Sequence, residues 1–317
     1  MPDLLVAGEA LVDFVPDSQD PLAEVESFTR RAGGAPANVA AALATLDRPA
    51  ILWTRVGEDP FGDHVVTTLR ERGVPLDLVE RDPDARTGLA FPAREDGDRP
   101  FTFYRDGTAD TRLQPGTVTD ETLAGVDWVH VGGVTLADDP ARTATYALAE
   151  RARDAGCTVS FDPNARPELW DEFDFADSVD RALALADVVK ATPGDLQAAG
   201  IEDDDPAGLA RTVLERGPNT VLVTLGEDGA VAATTRTALS TDAPETISHD
   251  GYDVEAVDPT GAGDAFTAGA ITALSEGESL AEALAFAGAV GAAATTARGA
   301  MAGLPVRDAV HEVRRRG

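Results

Sequence analysis

Short apolar runs alternate along the chain with longer stretches in which apolar residues recur at helical spacing. The short runs are bounded by Gly, Pro or Asp and are typical of buried strands, whereas the longer stretches are typical of helices. This alternation predicts βαβ units around a mainly parallel sheet. The predicted strands are Leu4–Gly8, Ile51–Val56, Trp128–Gly132, Thr158–Phe161, Val188–Ala191, Thr220–Leu225 and Ala230–Ala233. The predicted helices cover residues 36–46, 61–72, 140–155, 176–186, 206–216, 261–275 and 279–296.

The stretch 87–113 departs from this pattern. It contains two extended runs joined by a polar Asp96-Gly97 turn, which is typical of a β-hairpin. The segments Ala10–Val15 and Ser27–Arg31 are also strand-like and flank a loop. Together these segments predict a small sheet that projects from the main domain.

The charge balance narrows the range of partners. The 317 residues include 26 Lys+Arg and 56 Asp+Glu, which gives a formal charge of −30 at pH 7. Such a surface repels nucleic acid and anionic membranes, so we expect a small-molecule partner. Lys190 is the only lysine, and the acidic residues are dispersed along the whole chain. This composition predicts adaptation to high salt, and the alternative is an acidic mesophilic enzyme with arginine-rich codon usage.

Several other classes of protein lose support. Cys157 is the only cysteine, so an intramolecular disulfide is impossible, and the four histidines are scattered without the spacing of a zinc site. The first residues lack the basic start and apolar run of a signal peptide, and no apolar run is long enough to span a membrane. We expect a cytoplasmic protein.

The chain lacks both of the common nucleotide-binding signatures. It has no G-x-x-x-x-G-K-[ST] motif, and no G-x-G-x-x-G motif follows the first strand. It has instead V-D-P-T-G-A-G-D-A-F, in which Gly261 and Gly263 permit a tight turn directly before a predicted helix. Amides that converge at a helix start bind anions without a cationic side chain. Asp264 in the first turn either accepts a proton from an attacking hydroxyl or only complements the helix dipole.

A second glycine turn opens the first predicted helix. In R-R-A-G-G-A-P-A-N-V-A, Gly33 and Gly34 precede the helix and Asn38 lies in its first turns. The backbone and the Asn38 amide can bind a polar ligand, or they can satisfy each other within an ordinary turn. Asp13, after the first strand, either accepts from a ligand hydroxyl or ends a strand.

Three further groups of polar residues and glycines each lie at the end of a predicted strand. Because ligands of open parallel sheets bind beyond the carboxyl ends of the strands, we expect all three groups to face one crevice. The groups are Asp162, Asn164 and Arg166; Lys190, Thr192 and Asp195; and Thr224, Gly226 and Gly229.

Taken together, these segments resemble the ribokinase-like (PfkB-type) sugar kinases, with matching segments spread from Gly8 to Leu304. G-G-A-P-A-N matches the N-terminal signature of that family, and D-P-T-G-A-G-D-A-F matches its C-terminal signature. The resemblance implies a three-layer α/β/α sandwich with a mainly parallel central sheet and a small β-sheet lid. It also implies transfer of the γ-phosphate of ATP to a sugar hydroxyl, with Mg²⁺ as the metal. On this basis we expect a single domain over residues 1–317, with the lid formed by residues about 10–32 and 86–113.

The resemblance also implies roles for individual residues. Asp264 would be the catalytic base, and the amides of Gly261, Ala262, Gly263 and Asp264 would form the anion hole. The sugar would be held by Asp13, Gly33, Gly34, Asn38, Phe103, Arg105 and Arg166. The nucleotide would be bound by Asn164, Lys190, Thr192, Asp195, Thr224, Gly226 and Gly229, with Gly288 near the adenine.

Two segments concern metal binding. The Asn-x-x-Glu motif of the family, associated with Mg²⁺ and phosphate, appears here as Thr192-Pro-Gly-Asp195, which makes Asp195 a weaker Mg²⁺ candidate. Asp258-Pro-Thr260 and the Gly299 region resemble the monovalent-cation loop of some members, so K⁺ is a candidate ligand of Asp258 and Thr260. In related enzymes the lid often supplies a dimer contact, which makes a homodimer through the lid a further expectation.

The closest resemblance within the family is to fructokinases. It rests on G-E-A-L-V-D-F-V-P, G-G-A-P-A-N-V-A, F-Y-R-D-G-T-A-D and D-P-N-A-R-P-E-L-W. A 2-keto-3-deoxygluconate kinase shares the F-Y-R and D-x-N-x-R patterns, and Arg105 and Arg166 would suit the carboxylate of its substrate. The sequence is also compatible with a ketohexokinase, a nucleoside kinase or a non-catalytic sugar-sensing protein.

Overall fold

The first strand of the protein contributes to two separate hydrophobic cores. In this computed structural model, which describes residues 2–18, 20–92, 101–235 and 245–316, Leu4 and Val6 belong to one core. Leu5 and Ala7 belong to the other. Because successive side chains of a strand point to opposite faces, the sheet is covered on both sides, as parallel sheets require.

Strands and helices alternate over most of the described chain. The strands are β1 (Leu4–Ala7), β2 (Leu11–Pro16), β3 (Phe28–Gly33), β4 (Ile51–Gly57), β5 (Val79–Asp82), β6 (Leu89–Pro92), β7 (Phe101–Tyr104), β8 (Trp128–Gly132), β9 (Thr158–Asp162), β10 (Val188–Ala191), β11 (Thr220–Thr224), β12 (Ala230–Thr234) and β13 (Glu245–His249). The helices are α1 (Ala35–Thr45), α2 (Pro60–Glu71), α3 (Asp120–Leu123), α4 (Ala141–Asp154), α5 (Phe175–Leu183), α6 (Pro193–Ala198), α7 (Pro206–Leu214), α8 (Ala262–Ser275), α9 (Leu280–Ala294) and α10 (Arg307–Arg316).

The central sheet contains nine strands within the described residues, in the order β13-β12-β11-β10-β9-β8-β1-β4-β5. From β11 to β5 all neighbours are parallel, whereas β12 runs antiparallel to both β11 and β13. Helices α1, α2, α8, α9 and α10 contribute to the first core, and α4 to α7 contribute to the second. The predicted three-layer α/β/α fold is confirmed, and every predicted strand and helix is present with its ends displaced by at most three residues.

The small sheet is a separate four-stranded layer in the order β3-β2-β6-β7. Its outer pairs are antiparallel and its central pair, β2 with β6, is parallel. The ring of Phe14 on β2 lies 5.2 Å from that of Phe91 and 5.6 Å from that of Phe61 on α2. These rings hold one face of the small sheet against α2, and alternation along β2 turns Asp13 toward the opposite face.

The predicted lid is confirmed as a separate layer of the structure. That residues 1–317 form a single domain stays a prediction. The turn predicted at Asp96-Gly97 lies outside the described residues. Among the helices described, none is both long and apolar enough to cross a membrane.

Candidate active site

The start of α8 is the centre of the site. Gly261 precedes the helix with φ +81°, and no side chain caps this end. A Cβ atom at Gly261 would lie 2.6 Å from the Cβ of Ala300 and 2.8 Å from its Cα. The backbone angle and the close contact therefore both require glycine here. An uncapped helix start presents its first amides and the positive end of the helix dipole to a ligand.

Asp264, in the first turn of α8, forms a direct contact with the other glycine turn. Its Oδ2 accepts a hydrogen bond from Nδ2 of Asn38 at 2.8 Å. Desolvation raises the pKa of Asp264 to about 6, although the Asn38 hydrogen bond and the positive charges of Lys190 and Arg166 oppose the rise. Near neutral pH this carboxyl is mainly ionised and can accept a proton.

A second carboxyl lies close to Asp264. Desolvation, followed by the negative charge of Asp264, raises the pKa of Asp13 to about 7, and Arg166 opposes the rise. When two carboxyls interact in this way, the ionisation of one raises the pKa of the other, so the two lose their protons in separate steps that belong to the pair. The pair therefore holds fewer than two negative charges near pH 7.

One cavity of about 490 Å³ lies between the lid and the central sheet. It is lined by residues from β2, β7, the start of α1, the loop after β9 and the start of α8. Among the predicted site residues its walls contain Asp13, Gly34, Asn38, Phe103, Asn164, Arg166, Asp258, Thr260, Gly261 and Asp264. The guanidinium of Arg166 lies 5.2 Å from the ring centre of Phe101, which sets the side chain against the lid. We refer to this space as the first cavity.

A second cavity, of about 1070 Å³, lies on the other side of the α8 start. Its walls include the predicted residues Lys190, Thr192, Thr224, Gly226, Gly229, Ala262, Gly263 and Gly288. Gly261 and Asp264 line the first cavity, whereas Ala262 and Gly263 line the second. The two cavities therefore meet at the first turn of one helix.

Lys190 brings a positive charge to this junction. Its Nζ lies 3.0 Å from Oδ2 of Asp162, and both side chains are buried. A Cβ atom at Gly263 would lie 3.2 Å from the same Nζ. Burial lowers the pKa of Lys190, but Asp162 and the neighbouring carboxylates raise it by more, so the ammonium group stays charged.

Comparison with known proteins agrees with this geometry. Residues 1–307 match the family model described as pfkB family carbohydrate kinase. The chain belongs to the pfkB family of carbohydrate kinases.

This pfkB kinase is similar to known fructokinases over nearly its whole length. It is 39% identical over 312 residues to a fructokinase from Klebsiella pneumoniae, with 96% of each chain covered. Among solved structures, a fructokinase with bound ATP from Xylella fastidiosa superposes with a TM-score of 0.88 at 30% identity, covering 100% of this chain and 99% of the other. A double mutant of a Vibrio cholerae fructokinase, bound to fructose, ADP and potassium ion, superposes with a TM-score of 0.85 at 34% identity, covering 98% and 97%.

The family and the enzyme class predicted from the two glycine motifs are thus confirmed, and this pfkB kinase is a sugar phosphotransferase. The geometry brings most of the predicted site residues to the two cavities. It places four of them elsewhere or differently.

Arg105 is expected among the residues that hold the sugar, and the structure places its side chain beside two carboxylates. The side chain is buried and is not part of the wall of the first cavity. Its Nε lies 2.5 Å from Oδ2 of Asp110, and its Nη1 lies 2.8 Å from Oδ2 of Asp138. Two carboxylates, one of them from a distant loop, therefore hold the guanidinium away from a ligand.

Asp195 was expected as a Mg²⁺ ligand, but its carboxylate is engaged within the protein. Its Oδ2 accepts from the amide and the hydroxyl of Thr192, at 2.8 and 2.7 Å. Its Oδ1 accepts from the amide of Ala165 at 2.8 Å. These contacts cap α6 and fix the loop after β9, so the carboxylate acts as a structural acceptor.

Two further residues lie at positions that differ from the expectation, Asn164 and Gly33. Asn164 was expected at the nucleotide, but it lines the first cavity and is absent from the wall of the second. Gly33 does not line the first cavity but leaves room for the carboxylate of Asp13, because a Cβ atom at Gly33 would lie 2.0 Å from Oδ2 of Asp13.

Glu9 and Arg298 line the first cavity and were not singled out in the sequence. Glu9 belongs to the same G-E-A-L-V-D motif as Asp13, and this shared motif is the sequence feature that could have identified Glu9 as a site residue. Arg298 lies next to the glycine loop at Gly299 and had no distinguishing pattern. In the second cavity, Tyr252 lies beside Gly288, where a Cβ atom would be 3.5 Å from the tyrosine ring.

Proposed function

We propose that this pfkB kinase is an ATP-dependent fructokinase. In this proposal fructose binds in the first cavity and ATP binds in the second. The observation that carries the proposal is the meeting of the two cavities at the first turn of α8, with Asp264 on one side and Gly263 on the other. The fructokinases among its relatives, one of them bound to fructose and ADP, support the same substrates.

The geometry supports a direct transfer. Asp264 accepts the proton of a sugar hydroxyl while the oxygen of that hydroxyl forms a bond to the γ-phosphorus of ATP. The bond between that phosphorus and the bridging oxygen breaks, and ADP leaves with the electron pair. The amides of Gly261, Gly263 and Asp264 stabilise the charge on the transferred group, because they lie at the junction before the reaction begins. The amide of Ala262 is engaged elsewhere, since it donates to the carbonyl oxygen of Pro259 at 3.1 Å.

Asn38 prepares Asp264 for this role. The hydrogen bond from Nδ2 of Asn38 fixes the orientation of the carboxylate and favours its ionised form. Since Asn38 lies one turn into α1, the first glycine turn positions the base on α8.

We further propose that the glycine loop after β11 and the surface around Gly288 hold the nucleotide. Thr224, Gly226 and Gly229 lie along the second cavity, and Gly288 on α9 lines it beside the ring of Tyr252, which offers an aromatic surface for the base. Lys190 lies beside Gly263, where its charge would attract the phosphates of ATP.

The metal ions of the proposal fit the available donors. Mg²⁺ in kinase sites binds mainly through substrate phosphates and water, with one or two carboxylates. Accordingly, no cluster of three or more His, Cys, Asp or Glu side chains is required, and residues 2–18, 20–92, 101–235 and 245–316 contain none suited to a metal.

We propose K⁺ at the loop where Asp258 accepts from Thr260 and from the amide of Gly299. Comparing rates in KCl and in NaCl at equal ionic strength tests the K⁺ site.

The fructokinases among the relatives favour a ketose as the sugar. Arg105 is held by Asp110 and Asp138, which leaves Arg166 and Arg298 in the wall of the first cavity as the arginines that could bind the carboxylate of 2-keto-3-deoxygluconate. The comparison of fructose with the keto-acid therefore rests on the assay. The geometry does not separate a fructokinase from a ketohexokinase, since the hydroxyl that faces Asp264 depends on the pose of the sugar.

The proposal is tested by measuring ATP consumption with fructose, 2-keto-3-deoxygluconate, ribose and adenosine. We expect the highest kcat/KM with fructose, and NMR of the product identifies the phosphorylated carbon. Turnover of adenosine or of the keto-acid above fructose would replace the substrate assignment, and absence of turnover with all four would favour a sugar-sensing protein.

The cytoplasmic location, the homodimer through the lid and the adaptation to high salt stay proposals that rest on the sequence. The last of these predicts that the free energy of unfolding rises with KCl, because salt screens the repulsion within a chain of charge −30. Full stability in salt-free buffer would contradict it.

A further inference from the structure

The loop between α9 and α10 packs against the start of α8, where the proposed anion hole lies. Ala300 in this loop is so close to Gly261 that a Cβ atom at Gly261 would lie 2.6 Å from the Cβ of Ala300. Because protein interiors are close-packed, a shift of Ala300 would be passed to the backbone of Gly261. The position of this loop therefore affects the amides that stabilise the transferred phosphate.

The residue before Ala300 contacts the lid. Gly299 has φ +91°, and a Cβ atom there would lie 2.9 Å from Cδ and Nε of Arg31 and 3.0 Å from its Cζ. The end of the Arg31 side chain thus occupies the space that a side chain at position 299 would fill, and glycine permits this close packing. The amide of Gly299 also donates to Oδ2 of Asp258 at 3.0 Å. We refer to Gly299 and Ala300 as the Gly299 loop.

Arg31 lies on β3 of the lid, directly opposite Asp13 on β2. Side chains of residues that pair across two strands lie on the same face of a sheet. Asp13 lines the first cavity, so this face of the lid is turned toward the site. Arg31 itself is half-buried and lines neither cavity. It therefore connects the lid with the Gly299 loop without lying in the wall of a ligand cavity.

We propose that Arg31 is a positioning residue for phosphoryl transfer, which holds the Gly299 loop against Gly261 and so keeps the amides of the anion hole in place. The inference rests on the proposed function and deepens it, because it assigns a lid residue to the transfer of the phosphate and not to the binding of the sugar. An anion hole stabilises the transition state only while its donors are held in position.

The variant Arg31→Ala tests the proposal, because it removes the part of the side chain that packs on Gly299. We expect kcat to fall by about 3- to 30-fold, less than the roughly 10²-fold loss that a displacement of 1 Å in an active site can cause. The Kd of fructose, measured by calorimetry without nucleotide, should stay at the wild-type value. Arg31→Lys keeps a long stem that can pack on Gly299, so it should restore most of kcat.

Arg30→Ala is the matched control. Arg30 is the neighbouring residue on β3 and lies opposite Phe14, whose ring contacts Phe61 of α2. It therefore lies on the face of the lid that is turned away from Arg31. The variant removes the same charge from the same strand, and its kcat should equal that of the wild type. Equal losses of kcat in Arg30→Ala and Arg31→Ala would mean that a weakened lid explains the effect, and would overturn the role of Arg31.

A double-mutant cycle tests the contact itself. Gly299→Ala places a Cβ atom where the end of Arg31 lies and pushes that side chain away. In the Arg31→Ala background this contact is already lost, so Gly299→Ala should lower kcat less than it does in the wild-type background. The unfavourable φ of alanine at position 299 is the same in both backgrounds and cancels. Equal effects of Gly299→Ala in the two backgrounds would contradict the proposal.

The remaining outcomes separate the two proposals. Turnover of fructose by the wild-type enzyme, with kcat unchanged in Arg31→Ala or with the loss confined to the Kd of fructose, would leave the fructokinase proposal standing and overturn the role of Arg31. If Arg31→Ala does not fold, Arg31→Gln, which keeps part of the stem, takes its place, and its kcat should lie between those of Arg30→Ala and Gly299→Ala. A wild-type protein that phosphorylates no sugar would overturn both proposals.

Discussion

Two helices of this pfkB kinase begin near the same edge of the sheet, and their starts differ in one respect. Helix α6 begins at Thr192, whose hydroxyl accepts from the amide of Asp195 while the carboxylate of Asp195 accepts from the amide of Thr192. Helix α8 begins at Gly261, which has no side chain to cap it. The start of α6 is satisfied by its own residues. At the start of α8 the amide of Ala262 donates to the carbonyl oxygen of Pro259, and the next amides, of Gly263 and Asp264, have no side-chain cap and face a ligand.

The difference shows that proximity to the crevice does not by itself make a helix start a binding site. Thr192 lines the second cavity, yet Asp195 is committed to the cap. Gly261 has no side chain that could cap α8, and only a residue without a Cβ atom fits at this position. The chemistry is therefore expected at α8, and α6 is expected to contribute mainly stability.

The strongest test removes the base at the uncapped start. Asp264→Asn retains the shape of the side chain but cannot take the proton of the attacking hydroxyl. We expect kcat to fall by about 10²- to 10⁴-fold, the usual range for a positioned general base. Fructose binding, measured by calorimetry, should persist. An unchanged kcat would remove Asp264 from the mechanism.

The second test alters the turn and leaves the base in place. Gly261→Ala forces a Cβ atom against Ala300 at a positive φ, so the amides of the anion hole must shift. We expect kcat to fall by about 10- to 10³-fold, since the loss of one preorganised donor costs up to this range.

Gly277→Ala is the matched control for this change. Gly277, just beyond the other end of α8, has φ +83° and no atom within 4 Å of a Cβ atom. Alanine at position 277 must adopt the same unfavourable positive φ but meets no neighbouring atom. The free energy of unfolding should therefore fall slightly, and kcat should not change. Equal kinetic losses in both variants would mean that general destabilisation, and not the anion hole, explains the effect.

The contrast between the starts of α6 and α8 also explains which features of the site could be predicted from the sequence. The uncapped start was predictable, because the glycines and Asp264 lie within four consecutive residues and the helical pattern follows them directly. The full set of contacts at the capped start could not be predicted, because the partners of Asp195 include Ala165, which is 30 residues away, and Asp195 as a Mg²⁺ ligand stays a prediction. The contacts of Arg105 could not be predicted for a similar reason, since Asp138 is 33 residues from it in sequence.

Three of the elements that the sequence did not predict, β5, β13 and α10, have a weak hydrophobic signal. Strands β5 and β13 form the two edges of the central sheet, and edge strands need no continuous apolar run. Their sequences are V-E-R-D and E-T-I-S-H. Helix α10 buries only Val310 among its described residues, so its apolar stripe is short. By contrast, the fully buried strands were predicted to within one residue.

The third test concerns the contact between the two glycine turns. Because Asp264 must be ionised to act, kcat/KM should fall as the pH is lowered through about 7 to 6, where Asp13 and Asp264 take up protons. Asn38→Ala removes a hydrogen bond that lowers the pKa of Asp264, so this acid limb should move to higher pH. Asn164→Ala is the control, since Asn164 lines the same cavity and is not among the groups that act on Asp264. A limb that moves equally in both variants would contradict the role of Asn38.

The smallest effect is expected at the capped start. Asp195→Ala removes the acceptor for Thr192 and for the amide of Ala165, so the free energy of unfolding should fall by about 1 to 2 kcal/mol. Asp177→Ala is the control, because Asp177 occupies the equivalent position of α5 without forming a capping box, and its loss should stay within about 1 kcal/mol. The Mg²⁺ concentration for half-maximal rate should change little in Asp195→Asn. A large rise in that concentration, with stability retained, would make Asp195 a metal ligand, and the two helix starts would then differ less than their caps indicate.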